Sequence, residues 1–425
     1  MKKKILCLFL LTVFLLGLGA CAVVPDDSSD SSENSSVGSS DVTDNVDAAT
    51  PIDPMVSAHM KFSLELIKQL TANDRGENRM ISPLSVLTAL SLTANGASGE
   101  TRTQMETALG ASVGDWNEFL KEYYETLAKP EYKNFSVEEG ILYFSNRVWY
   151  RENVVTPNPN FVKIASDYYG AQVLPSRFDQ DAVNEVNQWV SESTNGQIEN
   201  LVDEFSWDTW FYIVNALGFE ALWNVQNRGE LPQGVFTNSQ GEEETATYLN
   251  TRLYGAYFEI NRGAGFVRDL KGNYDFVAIL PPETTTPEQF LQYLDGEALI
   301  NALRQPSDSV ELHTSMPKFS FEDDVSLEGV LQQMGMYRAF DPKYYQSFSD
   351  LGTSEERLFI RGVHQKTVIE VTETGIKAAA VTGIPVGSPG LSEKKTLELN
   401  RPFLFMIVDD EYQLPIFIGI VNSVE

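Results

Sequence analysis

An α+β fold is what this 425-residue sequence predicts, and three features point to it. Helix-like and strand-like periodicities alternate in uneven order, which favours separate helices and sheets over a regular βα repeat. Two almost wholly apolar strands close the chain as a hairpin. From position 55 onward about 370 residues run without an internal repeat or a long structureless break. That exceeds the usual size of a single core, so the sequence calls for two domains or for one large mixed fold.

The chain opens Met-Lys-Lys-Lys, followed by an apolar run from Ile5 to Leu18 of about 14 residues. The run is shorter than the roughly 20 residues that span a bilayer. A charged start, a short apolar stretch and small residues before a cut describe a secretory signal over residues 1–20. Leu18-Gly19-Ala20-Cys21 resembles the lipobox of bacterial lipoproteins, in which the cysteine is lipidated; ordinary signal cleavage beside an incidental cysteine is the alternative. Cys7 leaves with the signal, so Cys21 is the one cysteine of the mature chain and no intrachain disulfide framework is possible. Residues 21–54 read as a tether, polar and acidic without periodicity, carrying eight carboxylates and no Lys or Arg. The expected location is the extracellular face of a bacterial cell membrane, lipid-anchored, or secreted if Cys21 is unmodified.

In the remaining residues 55–425, positions 55–70 and 182–203 read as helices, the second with apolar residues three to four apart from Asn184 through Trp189 to Leu201. Segments 139–150, 211–217, 273–280, 363–373, 402–408 and 415–421 are rich in Val, Ile, Phe and Tyr and read as strands. The last two flank Asp409-Asp410-Glu411-Tyr412-Gln413 and are apolar throughout, hence buried on both faces.

Charge and motif content narrow the function. Residues 55–425 carry 28 basic against 52 acidic side chains, and affinity for nucleic acid or heparin-like polyanions needs clustered Lys and Arg. The acids read as a solvated surface. His59, His313 and His364 stand far apart in no metal-ligand spacing. There is no nucleophile elbow and no phosphate loop. Gly263-Ala264-Gly265 lacks a third glycine and reads as a turn. No cofactor and no metal are expected. A dispersed carboxylate pair of glycosidase type is the one enzymatic reading that sequence does not expose.

The informative stretch precedes the closing hairpin. A strand pattern runs from Val368 into Gly375, and a long stretch of small and polar residues follows before Pro402; structureless loops longer than about 12 to 15 residues are uncommon and usually functional. From Ile376, one alternate set is Ile376, Ala378, Ala380, Thr382, Ile384 and Val386; the other is Lys377, Ala379, Val381, Gly383, Pro385 and Gly387. The first set suits an apolar layer and the second carries the charge and the backbone breakers. A period of two over this length is that of a strand with one buried face. A segment with the composition of a loop is therefore patterned as a strand.

Glu373-Thr-Gly-Ile-Lys-Ala-Ala-Ala-Val-Thr382 resembles the hinge of the reactive-centre loop in the serpin family. The similarity covers nearly all of residues 55–425. Ile81-Ser-Pro-Leu-Ser-Val-Leu-Thr-Ala-Leu, Asn187-Gln-Trp-Val through Ile198, Val214-Asn-Ala-Leu-Gly-Phe-Glu-Ala-Leu-Trp223, Met316-Pro-Lys-Phe319, Arg401-Pro-Phe-Leu-Phe405 and Ile418-Gly-Ile-Val421 resemble further family segments in the family's order.

The resemblance implies a serpin fold: a large mixed β-sheet with further sheets, about eight or nine helices and an exposed reactive-centre loop. It implies a monomeric suicide inhibitor of serine proteases, not an enzyme. The target would attack one loop bond to give a covalent acyl complex, and the cleaved loop would enter the main sheet as an added strand. By the resemblance, Glu373 is the hinge glutamate, Gly375 the pivot, Ile376 the residue after it, and Ala378, Ala379, Ala380 and Thr382 the small-residue run. Ser82, Ser85, Asn215 and His364 match a polar cluster beneath the sheet, and Trp223 matches the tryptophan where insertion begins.

Three departures bear on this. Ile376 replaces the family's usual Thr or Ser. Pro385 removes a ladder donor. The span from Gly375 to Pro402 is about two residues longer than the family's, so counting gives either Pro389 or Leu391 as the acyl residue. Leu391-Ser392 is the expected reactive bond, which suits a chymotrypsin-, elastase- or subtilisin-like target; Lys394-Lys395 is the trypsin-like alternative. The competing readings are a non-inhibitory serpin-fold protein, either a substrate or a binding module, a cross-class inhibitor of papain-like cysteine proteases, and a secreted hydrolase.

Overall fold

A computed structural model describes residues 51–72, 76–127, 140–225, 227, 231–344, 346–377 and 393–425. The signal, Cys21 and the tether up to residue 50 lie outside the described residues, as do Ala378, Ala379, Ala380, Thr382, Leu391 and Ser392. Residues 51–425 form one compact unit, so of the two organisations open to the sequence, one large mixed fold is the one adopted.

The first helix, Pro54–Thr71, starts where local chemistry tells it to. The Asp53 carboxylate accepts from Met55 N at 2.7 Å and from Val56 N at 3.4 Å, and Pro54 takes the first helical position. Helix Pro83–Ala94 is capped likewise by Ser82, whose hydroxyl accepts from Ser85 N at 3.3 Å. The helix expected over 182–203 is Gln180–Ser193. It stops early because Asn195 (φ 51°) and Gly196 (φ 74°) take the left-handed conformation. Seven helices of nine or more residues and three shorter ones lie among the described residues.

The strands build three large sheets. The first orders β1 (Arg79–Ile81), β18 (Leu414–Val421), β17 (Phe403–Asp409), β10 (Tyr274–Leu280), β9 (Gly263–Leu270) and β8 (Tyr257–Ile260). Every residue of β17 and β18 is buried, the apolar run from Phe403 to Val408 and the carboxylate of Asp409 that closes β17 alike. Gly263 and Gly265 lie inside β9 and not in a turn. A Cβ on Gly265 would sit 2.3 Å from the Phe258 ring and 2.8 Å from Ala278 O, so glycine there permits close packing between strands. The second sheet orders β16 (Glu393–Glu398), β11 (Val310–Pro317), β7 (Glu243–Tyr254) and β6 (Gln233–Thr237). A small pair joins β13 (Gly352–Thr353) to β3 (Thr156–Pro157).

The main sheet orders β12 (Phe319–Ser326), β14 (His364–Val371), β15 (Gly375–Ile376), β5 (Phe211–Leu222), β2 (Ile141–Arg151) and β4 (Gln172–Ser176). Its β5 extends five residues beyond the predicted 217, because Gly218–Glu220 stay in register with β2 (Gly218↔Tyr143 to Glu220↔Ile141) and Ala221 and Leu222 pair with β15. The two-residue β15 is the only link between β14 and β5: among the described residues no ladder pair joins those two strands directly.

Candidate functional site

The site is a split in the main sheet. At its upper end Thr372–Gly375 turns the chain back, with the Thr372 hydroxyl accepting from the N–H groups of Thr374 and Gly375, both at 3.3 Å. Gly375 and Ile376 then lie between two strands, Ile376 opposite Val371 on one side and Ala221 on the other. Only glycine fits at the pivot, since a Cβ there would stand 2.1 Å from Ala221 O and 2.7 Å from Leu222 Cα. Ile376 is buried, in keeping with its inward phase in the period-two pattern. Lys377 adopts φ 45°, a left-handed conformation that non-glycine residues rarely take.

Trp223 closes this end. It is fully buried, donates Nε1–H to Thr372 O at 2.8 Å, and donates its backbone N–H to Thr374 O at 3.0 Å. The Phe276 ring meets it edge-on, and the Arg268 guanidinium lies 3.9 Å above its ring centroid. Arg268 is itself buried and donates Nη2–H to Val225 O at 3.0 Å and to Asn227 Oδ1 at 3.3 Å. Burial pushes its pKa down to about 9. Asn227 in turn donates to Glu373 O at 2.6 Å. The Glu373 carboxylate pairs with Lys318 Nζ at 2.6 Å, and that hydrogen bond holds its pKa below the usual range.

Below Ile376 the strands part around a cavity of about 490 Å³, whose lining includes Ser82, Ser85, Asn215, Gln365, Thr367 and Arg361. The backbone bonds show which groups face it. Trp223 N and Asn215 O, both at odd positions, are bonded on the cleft side, the latter accepting from Ser85 Oγ at 3.3 Å. On the opposite wall Glu370 O, at an even position, accepts from Lys377 N at 2.9 Å. Strand alternation then aims the N–H and C=O groups of Ile213, Asn215, Leu217 and Phe219, and of His364, Lys366 and Val368, into the split.

The polar cluster on its floor differs by one residue from the sequence-based set. Ser82, Ser85 and Asn215 are brought together, and Asn215 Nδ2 donates to Asn146 Oδ1 at 2.8 Å while its own buried Oδ1 has no partner among the described residues. His364 is exposed. The residue that reaches the cluster is Gln365, which accepts from Ser82 N at 2.9 Å and donates to Ser82 O at 3.0 Å. The reason is parity: in β14 positions 365, 367, 369 and 371 face the core, and histidine falls on the other face. That phase is readable from Thr367, Ile369 and Val371. Sequence reasoning also missed Asn146, Arg268, Asn227 and Lys318; nothing local marks them. At the lower mouth the Arg361 guanidinium bridges both carboxylate oxygens of Asp208, Nε to Oδ1 at 3.1 Å and Nη2 to Oδ2, tying the β5 and β14 approaches together. Among the described residues no His, Cys, Asp and Glu grouping is able to hold a metal ion.

The two strands β14 and β5 are thus held apart below Ile376, and comparison with known proteins places this arrangement. The family model for serpins (serine protease inhibitors) matches residues 57–424. A serpin-like protein of Thermococcus kodakarensis is 28% identical over 375 residues, covering 86% of this chain and 85% of its own. Human alpha-1-antichymotrypsin is 27% identical over 431 residues, covering 97% and 98%. The crystal structure of tengpin, a thermophilic serpin, in its native state superposes with a TM-score of 0.79 at 35% identity over 88% of this chain and 96% of that one. Its latent state gives 0.76 at 34% identity over 88% and 100%. Human thyroxine-binding globulin shares the fold at 20% identity with a TM-score of 0.74 over 87% and 98%. By its sequence order, its split sheet and these relatives, the chain belongs to the serpin family.

Proposed function

We propose that this chain inhibits serine proteases of chymotrypsin, elastase or subtilisin type by a suicide mechanism. One observation carries the reading. Gly375 and Ile376 already sit as the first two residues of an added strand, above a cleft whose two walls carry unladdered backbone groups.

In the proposed sequence, the protease serine hydroxyl attacks the carbonyl carbon of Leu391. The Leu391–Ser392 amide bond breaks, the new amino group leaves on Ser392, and the acyl ester keeps the protease on Leu391. The freed strand from Gly375 to Leu391, 17 residues at roughly 3.3 Å each, reaches about 55 Å. Its insertion would pair both cleft walls, each bond contributing about 0.5–1.5 kcal/mol net, and would carry the protease to the far pole. The small side chains of Ala378, Ala379, Ala380 and Thr382 suit passage between packed strands. Trp223 and its partners would hold the entry, and Ser82, Ser85, Asn215 and Gln365 the floor. Serpins mostly inhibit proteases and are not catalysts, though thyroxine-binding globulin, which shares the fold, is crystallised in complex with thyroxine.

The test is incubation of the mature chain with chymotrypsin, pancreatic elastase, subtilisin and trypsin, read by denaturing gel and mass spectrometry. An SDS-stable complex with a released peptide beginning at Ser392 is the expected result. Clean loop cleavage with full protease activity would sink the inhibitor reading for these enzymes. Pro385 favours that second outcome, because it has no N–H to give to a ladder. We further propose Cys21 as a lipid anchor on a monomeric protein, with mass spectrometry of the membrane-extracted chain as the check.

A further inference from the structure

Helix Gln180–Ser193 crosses over the main sheet, and the segment that leaves it does something the inhibitory reading does not require. Thr194, Asn195 and Gly196 turn the chain back onto β5, and Gln197 is laid flat on Gly218, where a Cβ would meet Gln197 Oε1 at 3.1 Å and Thr194 Cβ at 3.3 Å. The Gln197 amide is then held at both ends. Nε2 donates to Glu220 Oε1 at 3.1 Å, an oxygen that also accepts from Asn195 Nδ2 at 3.2 Å. Oε1 accepts from the backbone N–H of Phe219 at 3.0 Å.

That N–H is not a spare group. Phe219 is an odd position of β5, so its N–H faces the cleft. It is also the next cleft-facing donor below Ala221, the residue paired with Ile376. Continuing the observed register, Gly375↔Leu222 and Ile376↔Ala221, sets Ala378 opposite Phe219. In an antiparallel hydrogen-bonded pair the two residues exchange both bonds, so the Phe219 N–H would go to the Ala378 carbonyl.

We infer that Gln197 is a gatekeeping side chain for strand insertion: its amide oxygen occupies the position of the Ala378 carbonyl and halts the hinge after two residues. The inference rests on the inserted-strand reading of the cleft. It accounts for a strand edge that would otherwise present an open donor to any passing chain. Glu220, itself buried, keeps the amide in place. For the strand to advance, the Gln197 oxygen must yield Phe219 N–H.

The experiment uses the mature chain and Gln197→Met, which has similar length and no acceptor. Hydrogen exchange by mass spectrometry reads the Phe219 amide in protease-free protein, and resistance to heat unfolding reads spontaneous conversion to the loop-inserted form. Gln197→Met is expected to lose protection at Phe219 and to convert about 5-fold faster, the factor for one hydrogen bond of average strength. Glu220→Leu, at a β5 position paired with Ile141 of β2 and not bonded to Phe219 N–H, is expected to act in the same direction. Glu220→Gln keeps an acceptor oxygen and is expected to convert at the wild-type rate. Wild-type protection at Phe219 and wild-type conversion in Gln197→Met would overturn the inference. A wild-type protein that never forms a covalent protease complex would instead overturn the inhibitory reading, and the exchange result at Phe219 would still decide whether Gln197 guards that edge.

Discussion

Replacing Gly375 by alanine adds one methyl group where two walls of backbone leave no room. The new Cβ would lie 2.1 Å from Ala221 O and 2.7 Å from Leu222 Cα, against ordinary contacts of about 3.5–4.0 Å. Side-chain rearrangement does not help, because both contacts are main chain. Nor does β5 give way easily, since it is paired with β2 from Phe211 to Glu220. The strain therefore falls on β15, which must leave the ladder or enter it distorted. Overpacking of this kind costs about 1–3 kcal/mol. Placed on the first step of insertion, that is a slowing of about 5- to 150-fold, at tenfold per 1.4 kcal/mol. Hydrolysis of the acyl-enzyme is chemistry of the protease and does not slow with it. More loop is then cleaved without trapping, and the number of inhibitor molecules consumed per protease rises. The assay is titration of a fixed amount of protease, with the rate of SDS-stable complex formation followed on gels. Gly329→Ala, where nothing lies within 4 Å, serves as the neutral companion. Complex formation by Gly375→Ala at the wild-type rate and stoichiometry would mean that the close seating of Gly375 against β5 does not control insertion.

Trp223→Phe keeps the apolar ring but deletes the Nε1–H···O bond to Thr372 and weakens the stack under Arg268. It should lower stability by about 1–3 kcal/mol, read as a lower urea midpoint, and an unshifted midpoint would dismiss the clamp. The pH profile has opposing parts. His59 is buried and its pKa is lowered to about 3, so its contribution is present above about 6.5 and is lost as pH falls below that. Burial, with Asp410 and Asp269 nearby, raises Asp275 to about 7, and burial raises Asp409 to about 6. Their contributions are full below about pH 4 and are lost as pH rises through those values. Between pH 6.5 and 4 the slopes offset, each group contributing at most about 1.4 kcal/mol per pH unit. Asp275→Asn should therefore be more stable than wild type at pH 7.5 and lose stability more steeply on acidification. Identical profiles for the two proteins would refute the assignment.

Local periodicity alone determined a good deal here. An unbroken apolar run on each side of Asp409–Gln413 was bound to be a buried hairpin, and the helical spacing over 55–70 was bound to give a helix, observed as Pro54–Thr71. The alternation from Ile376 onward is a strand pattern in a stretch with the composition of a loop; Ile376 is buried in a two-residue strand, and the rest of the pattern beyond Lys377 lies outside the described residues. These are properties of neighbours in the chain, set by backbone geometry and by which face meets water. The tertiary structure decided what those elements meet. It placed Gln365 rather than His364 on Ser82, across 283 residues of sequence, through a one-residue difference in phase. It buried Arg268, a residue type that reads as surface, over the face of the Trp223 ring, and it made Gly265 a place where the Phe258 ring and a neighbouring strand approach closely. It also brought the Gln197 amide to the one β5 donor next in line for an incoming strand. Such contacts depend on how whole elements pack, and packing is decided by long-range shape and burial that no window of sequence contains.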